Sequence, residues 1–229
     1  MNRDQVIGTK HIIYQKDDEF KYTTDSLILS SHIKGGENLL DLGCGTGIVS
    51  LRVEERFKKI YCVDKNTEVV SCLKRSIKEN NLEEKILILQ EDIFNLKSMF
   101  KTNCFDNVVI NPPYYDYSNI KFKTTLAKHN FDLLEGLDII KYLLKNSGTF
   151  TMIYPTFRLA EAIFKINKNS MKVKSIINIH NEFNKSSKSS IIIAKKQANF
   201  GNTFIDFYVN NEGDYTEEMK KVYENEVLI

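Results

Sequence analysis

The 229-residue sequence predicts an α/β fold, a doubly wound and mostly parallel sheet with helices on both faces. Two observations predict it. Short apolar runs recur at residues 39–42, 60–63, 86–89 and 108–110 without the alternation of a half-exposed strand, as strands covered on both faces require. Residues 48–57 and 67–80 between them carry helical spacing, so the order reads βαβαβ. Asn66 or Thr67 can cap the second helix, and Asn80-Asn81 can stop it. Farther on, residues 126–144 predict a longer helix and 148–154 another strand. Residues 171–179 and 190–194 predict two strands around a polar loop, 181–189, that carries Lys185 and Lys188. With 3 Pro, 10 Gly and no repeat or linker, a single domain is expected over 1–229: an N-terminal extension to 37, a core over 38–200 and a final strand and helix over 201–229.

Composition removes several classes. Hydrophobic residues make up 42% and charged residues 27%, and no apolar run approaches the roughly 20 residues of a membrane span. The first residues lack the apolar core of a secretory signal, so a soluble, cytoplasmic protein is expected. Cys44, Cys62, Cys72 and Cys104 form no C-x-x-C pair and have no histidine at ligand spacing, which predicts reduced thiols and no metal. The oligomeric state is not written in the sequence, and a monomer is the expectation. Net charge is only +2, but residues 115–200 hold 14 Lys and Arg against 6 Asp and Glu. That imbalance predicts an acidic partner at one region of the surface.

The run Leu39-Leu40-Asp41-Leu42 leads into Gly43-Cys44-Gly45-Thr46-Gly47 and then a helix, so the loop falls at the sheet edge where doubly wound folds bind ligands. Glycine there lets backbone approach a ligand without a Cβ in the way. Ile48 stands where a dinucleotide fingerprint has its last glycine, which disfavours a pyrophosphate on the helix end. Asp41 would also repel a pyrophosphate, yet could hold, directly or through water, the cationic aminoacyl end of S-adenosylmethionine. Asp64, followed by Lys65, ends the second strand and is placed to accept from ribose hydroxyls. Glu91-Asp92 ends the third, where Asp92 could receive an adenine amino group while Ile93 or Phe94 packs on the ring. Three acidic residues in register after three strands, with this loop, resemble the class I S-adenosylmethionine-dependent methyltransferases over roughly residues 37–155. The resemblance implies their Rossmann-like fold and S-adenosyl-L-methionine as cofactor. It also implies Asp41, Gly43, Cys44, Gly45, Gly47, Asp64, Lys65, Asp92, Ile93 and Asn111 as the residues around it.

Asn111-Pro112-Pro113-Tyr114 follows the strand at 105–110, at the same edge of the sheet. An exocyclic amino group is a poor nucleophile because its lone pair is delocalised into the ring. The Asn111 side-chain oxygen and the Pro112 carbonyl can each take one amino hydrogen and favour tetrahedral nitrogen. Tyr114 offers a stacking face worth about 1–3 kcal/mol per base. The motif resembles that of amino-methyltransferases acting on adenine, on guanine and on glutamine side chains, so it indicates the acceptor group rather than the substrate.

The flanks point further. Tyr22-Thr23-Thr24-Asp25-Ser26-Leu27-Ile28-Leu29, Leu126-Ala127-Lys128-His129 and the tail Asp214-Tyr215-Thr216-Glu217 resemble the family that methylates N6 of adenine 37 beside a valine tRNA anticodon. Tyr114, Lys121, Lys123, Lys128 and His129 are then expected to meet the tRNA. Lys128 replaces the arginine common there, which loses the guanidinium fork and keeps the charge. Tyr115, Tyr117, Phe122 and Phe131 interleave aromatics with those lysines, as suits a splayed single-stranded loop. Lysines 165, 168, 172, 174, 185, 188, 195 and 196 are expected to extend the basic region. A ribosomal RNA guanine-N2 methyltransferase and a protein glutamine-N5 methyltransferase remain open. The latter usually carries a helical domain before its cofactor loop, and only 42 residues precede Gly43. A non-enzymatic RNA-binding module would tolerate loss of Asn111 and the loop glycines, all of which are present.

Overall fold

Apolar runs flanked by amphipathic helices leave each strand one low-energy place, between two helical layers. The computed structural model of the chain describes residues 1–16, 22–112 and 133–228. It begins with a hairpin, β1 (Asn2–Gln5) and β2 (Ile12–Gln15), and a helix, α1 (Thr24–Ser31). There follow β3 (Gly36–Leu42), α2 (Ile48–Arg52), β4 (Phe57–Val63), α3 (Thr67–Glu79), β5 (Ile86–Leu89), α4 (Leu96–Met99) and β6 (Phe105–Ile110). The second part has α5 (Leu133–Leu143), β7 (Leu144–Pro155), α6 (Leu159–Lys168), β8 (Met171–Glu182), β9 (Ser189–Lys196), β10 (Thr203–Asn211), β11 (Asp214–Tyr215) and α7 (Glu217–Tyr223).

Among the described residues nine strands form one sheet in the order β11-β10-β8-β9-β7-β6-β3-β4-β5. From β7 to β5 every neighbour is parallel, while β9 runs antiparallel to both β7 and β8. The order reverses between β6 and β3, which makes their carboxyl ends the topological switch point. Register fixes what gathers there. Leu42 pairs with Val63 on one side and Ile110 on the other, and Val63 pairs with Leu89. Gly43, Asp64 and Asn111, each the next residue along its strand, therefore leave the sheet side by side.

Alternation along the strands divides the core into two layers. Leu39, Ile60, Cys62 and Val109 join the layer beneath α1, α2, α3 and α7, whereas Leu40, Leu42, Val108 and Ile110 join the one beneath α5 and α6. Asn66 caps α3 by accepting from the Glu68 amide at 2.9 Å, and Asn80 closes it.

Several expected boundaries moved. The helix expected over 48–57 stops at Arg52, because a 3-10 turn at Glu54–Arg56 intervenes and Phe57 already pairs with Gly36 in the sheet. The strand expected over 148–154 runs from Leu144 to Pro155, and α6 was not foreseen. The helix expected over 126–144 is described only from Leu133, and ends at Leu143. Residues 1–37 include the hairpin, docked on α3 through Tyr14 N to Ser76 Oγ at 2.9 Å and Ile12 N to Asn80 Oδ1 at 2.8 Å. The four cysteines are free. No described helix is long and apolar enough to cross a membrane, and among the described residues no three His, Cys, Asp or Glu side chains group to hold a metal ion.

Candidate active site

The loop after β3 is held by its backbone to the neighbouring strand: the amides of Gly43 and Cys44 both donate to Val63 O, at 2.8 and 3.1 Å. Gly43 and Gly45 have φ of +64° and +56°, and a Cβ built on either would meet nothing within 4 Å. Their faces are therefore open, and a side chain there would fill the space a ligand needs. Gly47 is different: at φ +89° its Cβ would lie 2.3 Å from Leu73 Cδ1, so glycine here serves packing of the loop on α3.

Asp64 links loop and strand, accepting from the Gly45 amide through Oδ2 and the Asn66 amide through Oδ1, both at 2.9 Å. It is half-buried, and each oxygen retains a second lone pair. Asp92 caps the following turn by accepting from the Phe94 amide at 3.1 Å, and its other oxygen meets Lys65 Nζ at 3.3 Å. The third and second strand ends are thereby tied across the site. Ile93 packs on the core, while Phe94 is 42% exposed. Cys44 is buried, and its hydrogen bond with Cys62, with that burial, pushes the thiol up, so it packs as a neutral group.

Asp41 lies deeper, 2% exposed, and accepts from Ser50 Oγ at 2.6 Å. Burial pushes its carboxyl up to about 6, partly offset by the Ser50 hydrogen bond. An acid raised in the folded state binds its proton more tightly there, so folding stability is lost as pH rises from about 4 to about 6 and the loss is constant above. Asp41→Asn removes that ionisation. Relative to wild type, the variant is expected to gain up to roughly 3 kcal/mol between pH 4 and 7 in urea unfolding. A difference between the two proteins that does not change with pH would contradict a raised Asp41.

At the end of β6, Asn111 donates from Nδ2 to Ser26 Oγ at 2.9 Å. Its Oδ1 is shielded from solvent and, among the described residues, has no hydrogen-bond partner. The carboxamide thus has its nitrogen on Ser26 and, among the described residues, its oxygen without a donor at the switch point. Pro112 is half-buried beside it. Pro113, Tyr114, Lys121, Lys123, Lys128 and His129 lie outside the described residues, as do Tyr115, Tyr117, Phe122 and Phe131.

Helix α1 contributes a second group that site reasoning passed over. Asp25, raised by burial, is hydrogen-bonded to Ser189 at the start of β9, so α1 bridges the carboxyl edge from β6 to β9. The only sequence sign of it was the segment 22–29, read as a flank.

The expected basic region does not hold together. Lys196 is buried and donates to Asn103 Oδ1, Lys141 O and Leu144 O, an internal clamp. Lys165 pairs with Glu161 at 2.6 Å. Lys172, Lys174 and Lys195 belong to the ends of β8 and β9 remote from Asn111, because Met171 pairs with Lys196 at that opposite edge, and Lys168 ends α6 just before it. Of the eight lysines expected to extend the region, all of them described, Lys185 and Lys188 alone stand at the edge that carries Asn111.

The methyltransferase small domain model matches residues 18–176, more than half of the chain. The chain belongs to the methyltransferase small domain family. Among relatives of this methyltransferase-family chain, a tRNA1(Val) (adenine(37)-N6)-methyltransferase from Bacteroides thetaiotaomicron is 29% identical over 145 residues, 59% of this chain and 60% of that one. A protein of the same name from Shewanella sediminis is 22% identical over 86% of this chain and 88% of its own length. The chain thus spans about 60% of the first relative. In structure it resembles a protein described as a predicted O-methyltransferase from Agrobacterium tumefaciens, with a TM-score of 0.72, 16% identity, and coverage of 89% of this chain and 97% of that one. The fold is the Rossmann-like methyltransferase fold, and its cofactor is S-adenosylmethionine. The open faces of Gly43 and Gly45, with the Asp64 carboxylate holding the Gly45 amide beside them, fit that group.

Proposed function

We propose that this chain methylates the exocyclic N6 of an adenine in a tRNA anticodon loop, position 37 of a valine tRNA. The observation that carries the reading is the Asn111 carboxamide, whose Oδ1 is buried without a donor one strand from the Gly43 loop. A buried acceptor left unpaired costs about 1–3 kcal/mol, so it is explained by a donor that arrives with substrate. A planar amino group supplies that donor, and the names of the relatives favour adenine in tRNA.

When bound, S-adenosylmethionine supplies an electrophilic methyl group. Asp64 with Lys65 and Asp92 would hold its ribose and adenine ends, and the Gly43–Gly47 backbone would bring amides and carbonyls to the remainder. Asn111 Oδ1 accepts one amino hydrogen and the Pro112 carbonyl the other, which returns the lone pair to nitrogen and orients it. Ser26 accepts from the Nδ2 end of the amide, with Oδ1 as the atom left for the amino group. Tyr114 is the proposed stacking face, with Lys121, Lys123, Lys128 and His129 on phosphates.

Incubating the protein with labelled S-adenosylmethionine and total RNA, then digesting to nucleosides, is expected to place label in N6-methyladenosine. Label in N2-methylguanosine would point instead to the guanine reading, and label confined to protein to the glutamine one.

A further inference from the structure

The turn between β8 and β9 lies at the same carboxyl edge as Asn111, and the chemistry above leaves it without a task. Tertiary hydrogen bonds fix its shape. The Lys185 amide donates to Glu182 O at 3.1 Å, and Lys185 O meets His180 Nδ1 at 2.7 Å. Across the gap to β7, the Thr156 amide donates to Lys188 O at 3.0 Å and Thr156 Oγ1 meets Ser187 Oγ at 2.8 Å. What this built turn presents is unusual for a solvated loop. Phe183 is 68% exposed, its ring backed by Tyr208 at 5.1 Å, which is backed in turn by His180 at 5.0 Å. Phe157, in the adjoining turn, is 75% exposed. Lys185 and Lys188 are exposed, and among the described residues neither ammonium pairs with a carboxylate. Glu182 is the one acid within residues 182–188.

Resting on the RNA reading above, we infer that the 182–188 turn is a platform for single-stranded RNA on one side of the target nucleotide. Phe183 stacks a flanking base, and Lys185 and Lys188 hold its phosphates. Separate rings set among lysines and serines match a polyanion with planar bases better than a protein partner, which would need a contiguous apolar patch. Reach is consistent. Three strand spacings separate β6 from β8, about 14 Å, the length of about four stacked nucleotides. The backing of Phe183 by Tyr208 and the pinned backbone mean little ordering is left to be done on binding.

The test is binding of a fluorescein-labelled valine tRNA anticodon stem-loop to the full chain across a salt series. Phe183→Ala is expected to raise Kd about tenfold, and Phe183→Tyr, which keeps the ring, to leave it within about twofold of wild type. Lys185→Gln with Lys188→Gln should reduce the slope of log Kd against log salt by about 1.4, two single-strand phosphates' worth. Wild-type-like binding by these variants, when wild type itself binds, overturns the platform and spares the RNA reading. If wild type does not bind RNA, both fall. Weakening by Phe183→Ala that Tyr does not rescue assigns the ring a structural role. A dimer in sedimentation that Phe183→Ala disperses gives the surface to a second copy instead.

Discussion

Asn111→Ala is expected to lower methyl transfer by about 10²–10³-fold, the usual consequence of removing one preorganised polar group from a reacting centre. Cofactor affinity, measured by calorimetry, should change by no more than a few fold, since the Gly43 loop and Asp64 are held by their own hydrogen bonds. Stability should not fall. Oδ1 has no partner among the described residues, so its removal relieves a desolvated acceptor and offsets the lost bond from Nδ2 to Ser26. A protein that gains or keeps stability while losing rate is the pattern of a group held ready for substrate. Ser26 is a positioning residue in this scheme. Ser26→Ala should lower kcat by about tenfold with KM for RNA little changed, and Ser26→Thr, which restores a hydroxyl, should recover most of it. If Asn111→Ala abolished cofactor binding, the amide would belong to the cofactor's pocket and the acceptor role would be wrong.

The parts of this protein legible in the sequence are those governed by local rules. Leu39 to Leu42 read as a buried strand because both faces are covered, and Gly43, Asp64 and Asn111 read as neighbours because a doubly wound order puts strand ends at one edge. Ser26 was not legible as a site residue. Its role depends on α1 crossing the edge above β6, a tertiary fact that no spacing encodes. The hairpin was hidden for another reason: Asn2 to Gln5 is exposed throughout and carries no apolar alternation, and its partner is fixed by Ser76 and Asn80 some seventy residues away. The basic region misled because a lysine count carries no direction. Lys196 and Lys188 lie eight positions apart on and beside one strand, yet the first is buried at one edge and the second exposed at the other.

Arg52→Met is expected to destabilise the fold by about 2–4 kcal/mol, a fall in Tm of roughly 5–15 °C for a chain of this size. Arg52 ends α2, the helix that the cofactor loop enters, and its side chain is 2% exposed. Nε donates to Ser30 Oγ at 2.7 Å, Nη1 to Ile7 O and Nη2 to Val222 O, both at 2.5 Å. One guanidinium thereby ties the turn of the N-terminal hairpin, α1 and the last turn of α7 to α2. Burial lowers it to about 10, so it stays charged at neutral pH, and the Val222 carbonyl in the last turn of α7 adds the negative end of a helix dipole. Methionine fills the stem's volume but takes a donor from Ser30 Oγ, Ile7 O and Val222 O, of which Val222 O keeps the Asn225 amide at 3.1 Å, whereas Arg52→Lys keeps the charge without the fork and should fall between. The effect reaches the chemistry through α1, because Ser30 and Ser26 stand one turn apart on it, the first gripped by Arg52 and the second gripping Asn111. Well below its lowered Tm, Arg52→Met should therefore also lose several-fold in kcat. Urea unfolding of the variant within about 0.5 kcal/mol of wild type would mean that the guanidinium is not what holds these termini to the site.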